Sequence, residues 1–239
     1  NNKKDPLFFN LKLNDNLYEQ DYKDNIQEFC QKNLQNYIGK EKIFSNLWFM
    51  VKKNKIVLIT GASKGIGKAI ANNLLKNDYK VIGISRSHSI KSNNYISINQ
   101  DLRDSEGFAK VLQNIKKKYS SIIAVISNAG SGAFQNLENF SDKYIDEFIT
   151  LNLTSHIILS KAFINYFKNK KSGYFIFNGS EAANIGGKKA TLYSATKHGL
   201  LGFAKSLRLE CNNSGVRVSI INAGIVKSSF FKTLDFGPG

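Results

Sequence analysis

The chain has 239 residues, 42% of them hydrophobic and 12% aromatic, a formal charge of +16, and two cysteines, Cys30 and Cys211. Such a length and apolar content give one domain, or one domain with a small appendage, and exclude a wholly disordered chain, a disulfide scaffold and a cysteine-rich zinc site. No apolar run approaches the roughly 18 residues of a membrane span. The opening Asn1-Asn2-Lys3-Lys4-Asp5 lacks the basic-then-apolar layout of a signal peptide. A cytoplasmic location with no membrane partner is expected.

The charge is unevenly spread. Residues 1–49 hold seven lysines and seven acids and sum to zero, so the remaining 27 basic and 11 acidic residues carry the whole +16. A nucleic-acid surface would interleave basic and aromatic residues, and no such motif stands out. Lys116-Lys117-Lys118, and Lys168 with Lys170-Lys171, fall at predicted helix ends, where cations suit the dipole. Nucleic acid is therefore not an expected partner.

Two segments follow in chain order. Residues 1–49 read as a helical appendage: Tyr18, Tyr22, Ile26, Phe29, Leu34 and Tyr37 recur at helical steps and predict one amphipathic helix over Leu17–Ile38. It either packs on the main domain or a partner, or is sequence joined upstream of a start at Met50, the only methionine. Residues 50–239 read as a catalytic domain. Predicted strands Ile56–Thr60, Lys80–Ser85, Tyr95–Ile98, Ile122–Ser127, Gly173–Asn178 and Val216–Asn222 alternate with predicted helices Gly67–Lys76, Glu106–Lys118, Asp142–Phe167 and Thr191–Cys211. That alternation predicts an α/β fold, a doubly wound parallel sheet covered by helices on both faces. Ligands of such sheets bind beyond the C-terminal strand ends.

The first strand runs into Thr60-Gly61-Ala62-Ser63-Lys64-Gly65-Ile66-Gly67 and then a helix. Glycines let the backbone turn tightly and approach a pyrophosphate, which the free N–H groups of a helix N-terminus receive. The second strand ends at Ser85-Arg86. A carboxylate there would favour NAD; Ser85, Arg86 and the nearby Lys64 suit the 2′-phosphate of NADP(H) instead. Asp101, in Gln100-Asp101-Leu102 after the third strand, is placed to hydrogen-bond the adenine.

Tyr193-Ser194-Ala195-Thr196-Lys197 sits on a predicted helix, where residues four apart share a face. An ammonium beside a phenol lowers its pKa toward working pH. Tyr166 and Lys170 share that spacing. The distinction is Ser180, thirteen residues before Tyr193 at a strand end; the residue thirteen before Tyr166 is Leu153. Tyr166/Lys170 is read as structural.

The combined set resembles the short-chain dehydrogenase/reductase family from about residue 53 to the end: TGASKGIG at 60–67, Asp101, Asn128-Ala129-Gly130, Asn152, Ser180 and YSATK at 193–197. The resemblance implies a Rossmann-type sheet, a nicotinamide cofactor and a catalytic tetrad of Asn152, Ser180, Tyr193 and Lys197. By the same resemblance Asn128-Ala129-Gly130 supports the sheet beside the cofactor, Lys197 binds the nicotinamide ribose, and Asn152 interrupts its helix and holds a water in a proton relay. Gly61, Ser63, Lys64, Gly65, Ile66, Gly67, Ser85, Arg86, Asp101, Leu102, Tyr193, Gly224, Val226 and Ser228 complete the implied cofactor contacts. Two features depart from the pattern. Ala223-Gly224 replaces the usual Pro-Gly, and the family continues past Gly239 through a further helix and strand.

The expected activity is NADP-dependent interconversion of a carbonyl and a secondary alcohol; the alternative is a catalytically silent NADP-binding or sensor protein. A small-molecule or carrier-linked substrate is expected, 3-oxoacyl groups among the candidates, with assembly as a homodimer or homotetramer. The basic run Lys188-Lys189 before Tyr193 suits an anionic substrate. His88, His156 and His198 lack metal-binding spacing, so no metal is expected. Asn152-Leu153-Thr154 and Asn178-Gly179-Ser180 match the glycosylation sequon but overlap the expected active site, which argues against modification.

Overall fold

The computed structural model of the chain describes residues 8–11 and 55–223. The elements in chain order are β1 (Phe8–Leu11), β2 (Ile56–Thr60), α1 (Gly65–Lys76), β3 (Lys80–Ser85), β4 (Tyr95–Asn99), α2 (Ser105–Lys118), β5 (Ile122–Ser127), α3 (Asp142–Ile149), α4 (Ser155–Lys170), β6 (Gly173–Asn178), α5 (Thr191–Glu210) and β7 (Val216–Ala223). The strands form one parallel sheet in the order β1-β7-β6-β5-β2-β3-β4. The chain winds outward from β2 to β4, then returns to β5 and winds the other way. The direction reverses between β2 and β5, so a crevice opens beyond their C-terminal ends.

Alternation along the strands assigns the two faces. Ile56 and Leu58 of β2 pack in a large cluster with Phe108, Leu112 and Ile115 of α2, Leu159, Phe163 and Phe167 of α4, and Leu200, Ala204 and Leu207 of α5. Val57 and Ile59 pack on the other face with Ile70, Ala71 and Leu74 of α1. Burial of such side chains, worth about 1.5–3 kcal/mol each, is what drives the layers together.

The basic clusters do stand at helix ends: Lys116–Lys118 in the last turn of α2, Lys168 and Lys170 in the last turn of α4. No described helix is long and apolar enough to cross a membrane, and the described residues contain no cluster suited to a metal. Two differences from the expected elements are informative. The predicted helix Asp142–Phe167 is three pieces, with a π-helical segment at Thr150–Thr154 between α3 and α4. A strand absent from the sequence reading, β1, pairs in parallel with β7 from Phe8↔Ile220 to Leu11↔Ala223. Four residues are too few for a periodic signal. The helix expected over Leu17–Ile38, and Gly224, Val226 and Ser228, lie outside the described residues.

Candidate active site

A cavity of about 620 Å³ lies at the crevice between β2 and β5. Its walls bring together Gly61, Ser63, Lys64, Gly65, Ile66, Ser85, Arg86, Asp101, Leu102, Asn128, Ala129, Gly130, Ser180, Tyr193 and Lys197. Two expected site residues stand behind the wall. Gly67 is buried in the first turn of α1, and a Cβ there would lie 2.3 Å from the Gly61 carbonyl oxygen. Asn152 is fully buried.

One end of the cavity is built for an anion. Gly61 takes φ +70°, and a side chain there would press on the Ala129 backbone at 2.9 Å. Lys64, extended at the N-cap of α1, offers no side-chain cap, and the first turn carries no acid. The unpaired N–H groups of that turn thus remain available to a ligand. A Cβ on Gly65 would meet nothing within 4 Å, so the loop faces open space. A dinucleotide pyrophosphate fits this cradle. Around it stand the exposed cations Lys64 and Arg86, while Ser85 is buried and donates to the Ile84 carbonyl at 2.8 Å.

Asp101 is held by a residue that sequence reading missed. Arg103 donates to both Asp101 carboxylate oxygens, at 3.1 Å from Nε and 2.6 Å from Nη2, and reaches Glu147 of α3 through Nη1 at 2.9 Å. These bonds hold the Asp101 carboxyl below the usual carboxylate range. The position two residues after Asp101 was the available signal; the contact with Glu147, 44 residues on, had none.

A chain of polar contacts runs beneath the crevice. Thr60 Oγ1 accepts from the backbone N–H groups of Asn128 and Ala129 at 3.1 and 3.2 Å. Asn128 Nδ2 donates to the carbonyls of Thr60 and Gly61, at 3.1 and 3.3 Å. Asn178 Nδ2 donates to Asn128 Oδ1 at 3.0 Å, and the Asn178 carbonyl accepts from Lys197 Nζ at 3.1 Å. Asn178, like Thr60 and Ser127, is the polar last residue of an apolar strand, and nothing in the sequence singled it out. Asn152 clamps the next turn: its Oδ1 accepts from the Ser131 N–H at 2.8 Å and its Nδ2 donates to the Ser131 carbonyl at 3.0 Å. The π segment thus interrupts the helix at Asn152, where the family resemblance implied an interruption.

Ser180, two residues past β6, lines the same wall as the Tyr193 phenol and interacts with it, and Phe134 lies against the phenol ring at 5.2 Å. The expected lowering of the Tyr193 pKa is not found. Burial pushes the phenol up, and the neighbouring Ser180 side chain pulls against it. The ammonium sits 5.7 Å from the ring centroid and is drawn to the Asn178 carbonyl, not to the phenol oxygen. Burial lowers Lys197 itself to about 8.

Comparison with known proteins agrees with this arrangement. The family model described as short chain dehydrogenase matches residues 55–236. A 3-oxoacyl-(acyl-carrier-protein) reductase of Buchnera aphidicola subsp. Acyrthosiphon pisum is 38% identical over 184 residues, 74% of this chain and 75% of that protein. The solved structure of ElxO with NADP bound is 27% identical with a TM-score of 0.69, over 75% of this chain and 77% of that one. A 3-ketoacyl-(acyl-carrier-protein) reductase from Brucella melitensis complexed with NADH shares the fold at 21% identity, with a TM-score of 0.70 over 77% of this chain and 81% of that one. The chain belongs to the short-chain dehydrogenase family, NAD(P)-dependent oxidoreductases that act on alcohol and carbonyl groups.

Proposed function

We propose that the chain is an NADP-preferring oxidoreductase that interconverts a carbonyl and a secondary alcohol, with Tyr193 moving the proton. The observation that carries this reading is the buried Tyr193 phenol, grouped with Ser180 and Lys197 at the wall of a cavity whose far end is an uncapped helix N-terminus. When bound, a nicotinamide dinucleotide supplies the hydride. The turn at Gly65–Gly67 holds its pyrophosphate, Lys64 and Arg86 its 2′-phosphate, Asp101 and Leu102 its adenine, and Lys197 its nicotinamide ribose.

Ser180 orients the substrate. Its hydroxyl shares the cavity wall with the phenol, so a substrate oxygen accepting from both is held beside Tyr193. A phenol whose pKa is raised by burial stays protonated at neutral pH and has the proton that a carbonyl oxygen takes as it becomes a hydroxyl. The Lys197 ammonium, charged below about pH 8, stabilises the phenolate left behind. Asn152, by holding Ser131, keeps the turn after β5 against the helix that carries it.

The similarity to a 3-oxoacyl-(acyl-carrier-protein) reductase favours a 3-oxoacyl thioester, free or carrier-linked, and the exposed Lys188 and Lys189 suit an anionic carrier. We further infer a homodimer or homotetramer. Its contacts lie on α4 and α5, where Ile157 and Leu209 stand exposed; a monomer by light scattering at high concentration counts against it. The test of the main reading is NADPH oxidation with ethyl acetoacetate, a soluble 3-oxo ester, together with NADPH and NADH dissociation constants by fluorescence titration. Charge-assisted hydrogen bonds contribute roughly 1.5–3 kcal/mol each, so NADPH should bind at least about tenfold more tightly than NADH. Arg86→Asp should reverse the order. A preference for NADH in the parent, or an unmoved ratio in Arg86→Asp, sinks the NADP assignment.

A further inference from the structure

His156 has no part in the chemistry above, yet it is 1% exposed in the core beneath it. Its Nδ1 lies 2.6 Å from Ser127 Oγ, and Phe177 flanks its ring at 6.4 Å. Nε2 makes no hydrogen bond of normal geometry, although the Ala129 backbone interacts with the imidazole. A buried nitrogen so poorly paired is destabilising, so packing alone would be better served here by leucine. Burial, and then the charge of Lys197, pull the imidazole down to about 3, so it is neutral and adds no charge beside the lysine.

The two ends of the Ser127–His156 bond locate its purpose. Ser127 is the last residue of β5 and directly precedes Asn128. His156 stands four residues after Asn152, just past the π segment. Between them the bonds from Asn152 to Ser131 make a second tie from the same helix to the same turn. A Cβ on Gly130 would lie 2.8 Å from Asn152 Oδ1, so the turn and the helix are already in close contact there. A π segment carries an extra residue within a helix, and that residue can be seated at neighbouring positions along it. Only one seating puts Asn152 on Ser131, and a fixed tie just beyond the insertion selects it.

We propose that His156 is a positioning residue, whose bond to Ser127 sets the register of the π segment and so holds Asn152 on Ser131 beneath the active cavity. The inference rests on the reading that Asn152 and Lys197 serve the reaction, and its test has a readout independent of turnover. The bond from the Ser131 N–H to Asn152 should slow exchange of that amide. In His156→Leu that amide should exchange at least about tenfold faster while amides of β2 and β3 keep their rates, because the tie, and not the sheet, is lost. Turnover of NADPH with ethyl acetoacetate should fall about tenfold at an NADPH dissociation constant within about threefold of the parent's. His156→Gln, which keeps a group able to bond Ser127, should restore both. Ser127→Ala should reproduce the loss, and the double variant should be no worse than either single one. Should His156→Leu fail to fold, the milder Ser127→Ala carries the same exchange test. Unchanged Ser131 exchange, a uniform rise across the sheet, failure of His156→Gln to rescue, or additive single effects each overturn the proposal. A parent that neither binds NADPH nor reduces the ester overturns the functional reading instead, and Ser131 exchange still decides the positioning claim.

Discussion

Two tyrosine–lysine pairs occupy the same i, i+4 spacing on two helices, and only one of them opens on the cavity. On α4, Lys170 Nζ donates to Tyr166 Oη at 2.6 Å, and both groups also donate to the Ser120 carbonyl, the hydroxyl at 2.5 Å. That phenol proton is committed to a loop carbonyl, and Lys170 is exposed. On α5, Tyr193 and Lys197 are 7% and 6% exposed, the phenol interacts with Ser180, and the ammonium is bonded to the Asn178 carbonyl. The cation is nearer its ring in the first pair, at 4.4 Å against 5.7 Å. Closeness of the two side chains therefore does not distinguish the pair proposed to move a proton from the structural one. Burial, a hydroxyl partner able to share a substrate oxygen, and an opening to a ligand do.

The sharpest break of this comparison comes from removing each phenol oxygen in turn. General acid–base catalysis contributes about 10²–10⁴ in rate, so Tyr193→Phe should lower turnover of NADPH with ethyl acetoacetate by that factor. The NADPH dissociation constant should stay within about twofold, since the lost group acts on the substrate oxygen. Tyr166→Phe should leave turnover within about twofold and lower stability by about 1 kcal/mol, the worth of an ordinary hydrogen bond. Equal losses of turnover in the two variants would erase the distinction between the pairs.

Much of the site was legible because its chemistry requires particular residue types at particular spacings. Gly61 and Gly67 answer to backbone conformation and close approach. Ser180, Tyr193 and Lys197 answer to the proposed proton transfer and do meet at one cavity, and four of the six expected strands have the expected bounds. What escaped the sequence depends on contacts between distant segments. The Arg103–Glu147, Asn178–Asn128 and His156–Ser127 bonds span 44, 50 and 29 residues, with no periodic signal between their ends. The sign of the Tyr193 shift escaped for another reason: a cation four residues away is visible in the sequence, but the burial that raises the phenol and the turn of that cation to the Asn178 carbonyl are not. The edge strand β1 shows the same limit at the level of the fold, because its pairing partner lies some 210 residues along the chain.

The smaller and subtler break concerns the two lysines. Burial lowers Lys197 from 10.5 to about 8, and at roughly 1.4 kcal/mol per pKa unit its charged form costs on the order of 3 kcal/mol of stability. Below pH 8 the lysine is protonated in both the folded and the unfolded chain, and the cost is present in full. Between about 8 and 10.5 the unfolded chain binds more protons than the folded one, so stability rises with pH, and above 10.5 the cost is gone. Lys197→Met should therefore abolish turnover and yet leave the protein about 1–3 kcal/mol more stable than the parent at pH 7, part of the gain being offset by the lost bond to Asn178. That advantage should close between pH 8 and 10.5. Lys170→Met, at an exposed site, should lie within about 0.5 kcal/mol of the parent across the same range. Urea denaturation of the three proteins at pH 7, 8.5 and 10 reads the difference. If Lys197→Met is the less stable protein at pH 7, or if its gap from the parent does not change with pH, then the Lys197 ammonium is solvated or better paired than its burial implies, and the contrast between the pairs rests on their partners alone.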